Sequence, residues 1–317
     1  MPLTRSGFQS IVNRELPLAV AGDFAGANPR VSVPGLPGAY KCVPQGVRVG
    51  RFAWFNPATG LASNFYQDNS ILAFVHRENQ AQLVEFLEAF ESTIQGGFNV
   101  TGHTKGDFWA EFLGGASIGQ KVYANAQTGA ATAAATGGST QSIDFTASIA
   151  VTTGLMTVTV AGTGNIAVGM TIVGPGVPAG TFVTALGTGT GGTGTYQTNI
   201  TTAVASATLD AYGLIETTWS VWSTVPVDAV GTGSIAAATG ILTITALSSG
   251  LFDPSGGMYL NGTGVPNDLF IVSQITKTSP ATGGGTGTYQ TNRIGNAAVS
   301  STTITGVAGH VGKISNW

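Results

Sequence analysis

Gly115-Ala116-Ser117-Ile118-Gly119 carries the G-x-S-x-G spacing of a nucleophile elbow. That chemistry needs the serine on a sharp strand-to-helix turn, with an acid and then a histidine later in the chain. His310 does come later, with several aspartates between. The next residues, GQKVYANAQTG, do not read as a helix, and helices to cover a parallel sheet are missing. A glycine-rich loop entering a strand is therefore the preferred reading, and Ser117 as a hydrolase nucleophile the lesser one. Gly187-Thr188-Gly189-Thr190-Gly191-Gly192 matches G-x-G-x-x-G, but cradling a phosphate needs a helix N-terminus directly after it. The chain continues instead as TGTYQTNITTAV, rich in β-branched residues, so the glycines read as a strand connector. His76, His103 and His310 lack metal-ligand spacing, and Cys42 is the only cysteine. No catalytic residue, metal or cofactor is expected. His76, beside Arg77 and Glu78, suits a local hydrogen bond or an interface better than catalysis. Glu85, Glu88 and Glu91 lie three apart, which makes one solvated face rather than an acid pair.

The elements that would position such residues can be read from composition. Of 317 residues, 43% are hydrophobic, so a sizeable core can form, while only 9% are charged against roughly 25% in an ordinary domain. The 47 glycines are about twice the usual ~7% share. Thr, Val, Gly and Ala dominate over helix-filling Lys, Glu and Leu, which favours strands and turns. The formal charge of −3 offers no basic face for nucleic acid. So few charges protect a free monomer poorly and point to life in an assembly. The start, MPLTRSGFQSIVNRELPLAVAG, does not read as a signal peptide, because its apolar run is short and broken by Arg14, Glu15 and Pro17. No apolar run approaches the ~20 residues of a membrane helix, so no membrane partner is expected.

GGTGTYQTN occurs twice, at residues 191–199 and 284–292. The likeness extends further: SIAVTTGLMTVTV and GMTIVGPGVPAGTFVTAL in copy one answer SIAAATGILTITA and GMYLNGTGVPNDLFIVSQI in copy two. The offset grows along the repeat, so copy two has gained loop residues. Apolar residues alternate with threonine in each, as in Met156, Val158 and Val160 against Leu155, Thr157 and Thr159, which is the period of a half-buried strand. Each copy is expected to be a small module of four or five short antiparallel strands.

All five tryptophans (Trp54, Trp109, Trp219, Trp222, Trp317) fall outside the repeats, and Lys277 and Arg293 are the only Lys or Arg within them. Large aromatics supply most of the burial in a small core. The expectation is an older host domain assembled from residues 1–146, 210–230 and 306–317. The modules would be insertions at 147–209 and 231–305.

The host segments read mostly as strands: VRVGRFAWF (47–55), NSILAFVH (69–76), GDFWAEF (106–112) and IGQKVYAN (118–125). The exception is Leu83, Phe86, Leu87, Phe90 and Ile94, whose spacing predicts a short amphipathic helix. Short strands with Gly/Pro turns define an all-β fold, a β-sandwich or jelly-roll-like barrel carrying two small β modules.

GDFAGANPR (22–30), VGRFAW (49–54), FVHREN (74–79), GDFW (106–109), GQKVYAN (119–125) and KISNW (313–317) together resemble the tailed-bacteriophage structural cement proteins, the Gp24-like family. The resemblance spans the proposed host and departs from the usual short form through the inserted modules. It implies a β-rich head decoration protein on the outer surface of a capsid, bound to the major capsid protein, with no catalytic residue to carry over. Self-association as a dimer or trimer is expected, since a bridging oligomer turns later contacts into intramolecular ones. Arg30, Arg48 and Arg51 are the expected shell contacts, arginine being enriched at interfaces. The modules would project outward and could bind host surface glycans. The alternative is a phage tail or fibre module, where Thr/Gly-rich β-repeats are also at home.

Overall fold

The structure, a computed structural model, describes residues 19–35, 39–77, 92–137, 141–252, 258–266, 269–279, 284–292, 298–307 and 310–317. Before the repeats come β1 (Val31–Ser32), β2 (Lys41–Cys42), β3 (Val47–Arg48), β4 (Phe52–Asn56), β5 (Leu61–Ser63) and β6 (Ile71–Val75). Next in the chain are β7 (Thr93–Ile94), β8 (Gly102–Lys105), β9 (Asp107–Glu111), β10 (Lys121–Asn125) and β11 (Ala131–Ala134). Copy one supplies β12 (Ser142–Ile149), β13 (Leu155–Ala161), β14 (Thr171–Val173), β15 (Val183–Leu186), β16 (Gly194–Thr198) and β17 (Val204–Tyr212). After β18 (Leu214–Val221), copy two supplies β19 (Ala229–Ile235), β20 (Ile241–Ser249), β21 (Tyr259–Gly262), β22 (Ile271–Ser279), β23 (Thr286–Thr291) and β24 (Val299–Val307). The last strand is β25 (Val311–Ser315). The fold is mainly β, as expected, with no helix among the described residues. Two compact units divide these strands: Phe112–Ser117 with Thr224–His310 form one, and the other described residues, copy one included, form the second.

Within the larger unit, two sheets face each other. One has the order β1-β8-β6-β4-β5-β2 and the other β11-β10-β18-β25-β9. Phe52 and Phe74 reach from the first and Phe108 and Trp219 from the second, with ring centroids 5.2 to 6.4 Å apart. All four rings are fully or almost fully buried. That is the core of a β-sandwich, with the aromatics supplying its thickness.

The run FAWF in β4 is buried on both faces. Ala53 and Phe55 turn away from the sandwich into a second cluster with Tyr40, Cys42, Val47, Val49, Ile94 and Val100, where Tyr40 meets Phe55 edge-on at 5.3 Å. The predicted strand 47–55 therefore splits. β3 pairs with β7 and β4 with β5 and β6. The break falls at Gly50, whose φ of 70° and contact with the Ala21 backbone leave no room for a side chain. Of the predicted helix, Leu83, Phe86, Leu87 and Phe90 lie outside the described residues; Ile94 sits in β7, paired with Val47 and fully buried.

Each repeat copy forms a six-stranded sheet rather than four or five strands, and the two orders are equivalent: β14-β17-β12-β13-β16-β15 and β21-β24-β19-β20-β23-β22. The strands missed in the sequence are short ones flanked by Gly/Pro turns, such as β14 with three residues. In both copies the outer strands also meet. Val183 N–H donates to Met170 and Ile271 N–H to Met258, while Thr171 bridges Phe182 and Tyr259 bridges Phe270. Closing the sheet in this way removes exposed edges.

The shared nine residues are explained by this geometry. Tyr196 and Tyr289 fill the two module cores. Gln197 and Gln290 donate to the carbonyls of Thr153 and Thr239, and Thr198 and Thr291 donate to those of Gly154 and Gly240. Asn199 and Asn292 accept from the amides of Phe182 and Phe270. The copies differ where Phe145 of copy one is answered by Gly231 of copy two. There Phe252, from the β20–β21 connection, packs over the glycine and joins the core.

Candidate functional site

Residues 22–25 lie against β9 as an added strand. Phe24 bridges Phe108, Gly22 N–H donates to Trp109, and Trp109 and Ala25 N–H groups donate to Asp23 and Asp107. The chain then turns over the Asp107 carboxylate, where Gly26 leaves no space for a Cβ. Asp107 is 2% exposed. Its Oδ2 accepts from Asn28 Nδ2 at 2.8 Å and pairs with Lys313 Nζ at 3.1 Å. Its Oδ1 has no hydrogen-bond partner.

On the other face of β9, Phe24 and Phe108 pack against two histidines. His103 Nε2 lies 3.0 Å from His76 Nδ1, with Ser32 Oγ 3.4 Å from the other His103 nitrogen. Phe24 stacks on His76 at 4.8 Å and meets His103 edge-on, and the Arg30 guanidinium covers the outer face of Phe24 at 3.8 Å. Burial, the His76 ring and the Arg30 charge, in that order, push His103 down to about 4, so it is neutral at pH 7 and serves as a hydrogen-bonding core group. Strings far apart in sequence (22–30, 74–77, 106–109, 313–317) thus converge on one place.

The outer face of the five-stranded sheet mixes tryptophan with charges of both signs, since Trp109 and Lys313 share it with Asp107 and Glu111. β18 and β25 pair Val221 with Ile314, and Trp222 N–H donates to Lys313, so the register sets Trp222 beside Lys313. Lys313 in turn pairs with Trp109 on β9. Further along, Lys105 Nζ stands 5.3 Å over the ring of Trp317. Trp222 and Trp317 are each 55% exposed.

Arg30 is thus a cover for Phe24 rather than a neighbour of the other two arginines singled out in the sequence. Arg48 and Arg51 do come together, lining an open hollow of about 260 Å³ with Val20, Gly50, Glu111 and Val311. Arg51 donates to the Thr128 carbonyl at 3.3 Å, and burial, then the Arg48 charge, lowers its pKa. Sequence reasoning missed Trp222 and Trp317 as surface groups, and Asn28, Asp107 and Lys313 altogether. One signal was available: Trp219 in β18 and Trp222 just past its end are three apart, and period two sends such residues to opposite faces.

The chemical motifs are absorbed into structure. Ser117 is exposed and precedes Gly119 and β10, a strand and not the helix an elbow requires. Ala116 bridges Val225 antiparallel, so Ser117 runs away from Asp228 along that ladder. His310 Nε2 instead pairs with Asp228 at 2.8 Å. In the glycine run, the amides of Gly187 and Gly189 donate to Thr195 and that of Gly191 to the Tyr196 hydroxyl, leaving none of the three turned to a phosphate. No group of three metal-ligating side chains occurs among the described residues.

A family model for the XM1 gp53 minor capsid protein matches residues 8–172, just over half of the chain. The chain belongs to that family. It is thereby a phage capsid-associated structural protein of the virion, associated with capsid proteins. The match takes in the strands before the repeats and runs into β14 of copy one. It is to a minor capsid family and not to the Gp24-like cement family that the sequence strings resemble. No curated protein and no solved structure matches this minor capsid protein.

Proposed function

We propose that this minor capsid protein is a non-enzymatic cement protein that bridges major capsid protein subunits on the outside of the phage head. The observation that carries the reading is the pair of half-exposed tryptophans, Trp222 in a row with the partly buried Lys313 and Trp109, and Trp317 with Lys105 nearby. Half-exposed tryptophans are costly to leave in water, and Trp dominates interface hot spots. Arg30, Arg48 and Arg51 are further proposed contacts. Each contact can be modest, because a shell repeats the site many times and a dimer or trimer makes later contacts intramolecular.

The reading treats residues 1–146, 210–230 and 306–317 as one host domain and 147–209 and 231–305 as insertions that project outward. It is supported by the five-stranded sheet, which draws β9 to β11, β18 and β25 from three separate chain segments, and by the separate core within each repeat copy. The nearly uncharged Thr/Gly surfaces of the modules suit weak contacts, with host glycans or a neighbouring copy as partners.

The test is a phage producing particles without this chain. Particles that resist heat and chelators as well as complete ones would overturn the cement role. A few copies per particle instead of hundreds would favour a tail or fibre module. A variant lacking residues 148–208 and 234–303 should still enter capsids; its exclusion would place the modules in the shell interface.

A further inference from the structure

We propose that Asn28 and Lys313 become joined by an intramolecular amide bond, with Asp107 as the proton carrier. The arrangement has the three parts this chemistry needs. Lys313 Nζ is the nucleophile, Asn28 Cγ the electrophile, and a buried carboxylate touches both nitrogens through one oxygen, at 3.1 and 2.8 Å. A base within hydrogen-bond reach of the proton it moves is the first geometric requirement. The shared oxygen gathers the lysine and the carboxamide around one atom, and reaction requires Nζ to close on Asn28 Cγ to about 3–3.5 Å.

The surroundings bury Asp107 and hold it in place, while Asn28 is exposed and Lys313 partly so. Asp107 is 1% exposed in its side chain, and Lys313 is 27% exposed. The backbone at Gly26 passes directly over Asp107 Oδ2, where any Cβ would collide. Asp107 sits on β9 and Lys313 on β25, which pair with each other, so two of the three groups ride on rigid strands. Asp107 Oδ1 is buried without a hydrogen bond. A purely structural carboxylate would be expected to satisfy both oxygens.

The step balances without an outside reagent. Lys313 Nζ hands a proton to Asp107 Oδ2, and its freed electron pair attacks Asn28 Cγ. The new C–N bond forms, the C–Nδ2 bond breaks, and Asp107 relays protons from the attacking to the departing nitrogen. A lysine ammonium and a carboxamide become a secondary amide and an ammonium ion, and Asp107 ends as it began. Nothing is oxidised or reduced. The product would tie the segment before β1 to β25 covalently and so lock the larger unit against pulling forces.

Intact-mass measurement of the purified full chain tests this. The wild-type protein should weigh one ammonia less than its sequence requires, and digestion should yield a branched peptide joining the pieces that contain Asn28 and Lys313. Lys313→Arg keeps the ion pair with Asp107 but should show full mass and no branched peptide. Asp107→Asn should also remain unlinked, and Asn28→Ala serves if that variant fails to fold. A folded wild-type chain of full mass with unbranched peptides would overturn the proposal. So would an undiminished bond in Asp107→Asn, since the carboxylate would then carry no proton.

Discussion

Tyr196 and Tyr289 occupy the same position in the two repeat copies, and each hydroxyl donates to the carbonyl of the glycine four residues before it, Gly192 and Gly285. Both side chains are fully buried. The repeated nine residues are therefore a folding device: one aromatic fills a barrel core and its polar tip ties down the glycine loop.

Tyr196→Phe should cost the first module about 1–3 kcal/mol, because the Gly191 amide loses its acceptor as well as Gly192 its donor. Chemical denaturation monitored by near-UV circular dichroism would measure it. A variant as stable as wild type would mean that water replaces the hydroxyl.

Asp144 and Asp210 face each other directly across β12 and β17. Burial first, then the charges of Asp144 and Asp68, raise the pKa of Asp210. The folded state thus holds the Asp210 proton more tightly than the unfolded chain. Its contribution to stability is present below the ordinary carboxylate pKa and is lost as pH rises through the raised value. Asp210→Asn should stabilise the protein at neutral pH by a few tenths to ~1 kcal/mol, given solvent screening, and flatten that limb of a melting-temperature profile against pH.

His103 works in the opposite sense. Its folded pKa of about 4 lies below the unfolded value, so its stabilising contribution is full above ~6.5 and drains away as pH falls toward 4. The loss at acid pH amounts to up to ~3 kcal/mol at 1.36 kcal/mol per pKa unit. His103→Gln should remove this acid sensitivity, readable from urea midpoints at several pH values. An unchanged acid limb would assign it to other groups.

Trp219 and Trp222 should separate stability from assembly. Trp219→Ala empties the sandwich core among Phe52, Phe74 and Phe108 and should cost about 3–5 kcal/mol. Trp222→Ala, at a half-exposed site, should stay within ~0.5 kcal/mol in stability yet lower incorporation into particles, most strongly when combined with Trp317→Ala. Normal incorporation of that double variant would remove the tryptophan face from the proposed interface.

Much of the architecture was legible in the chain because its signals are local. Period-two alternation in 155–160, the Gly/Pro turns and the recurrence of TYQTN each report on neighbours a few residues away. Strand splitting at Gly50 and the sixth strand of each module were not legible. A strand of two to four residues, such as β3, β14 or β21, has too little period to read, and its existence depends on the partner that pairs with it.

The candidate site was hidden for a related reason. Arg30, Arg48 and Arg51 looked alike as charges, but the fold sends one over Phe24 and the other two to a shared hollow. Tryptophan content marked the segments outside the repeats, while which ring is inside depended on strand register.

By itself the sequence determined the all-β class, the duplicated module and the run of segments that resemble phage head proteins, since composition and repetition need no third dimension. Only the tertiary structure decided that Asn28, Asp107 and Lys313 meet. Their meeting is created by β9 pairing with β25 and by the chain at Gly26 crossing above. Long-range pairing of that kind leaves no trace in residue order, because it arises from the burial of Phe108 and Trp219 in a common core.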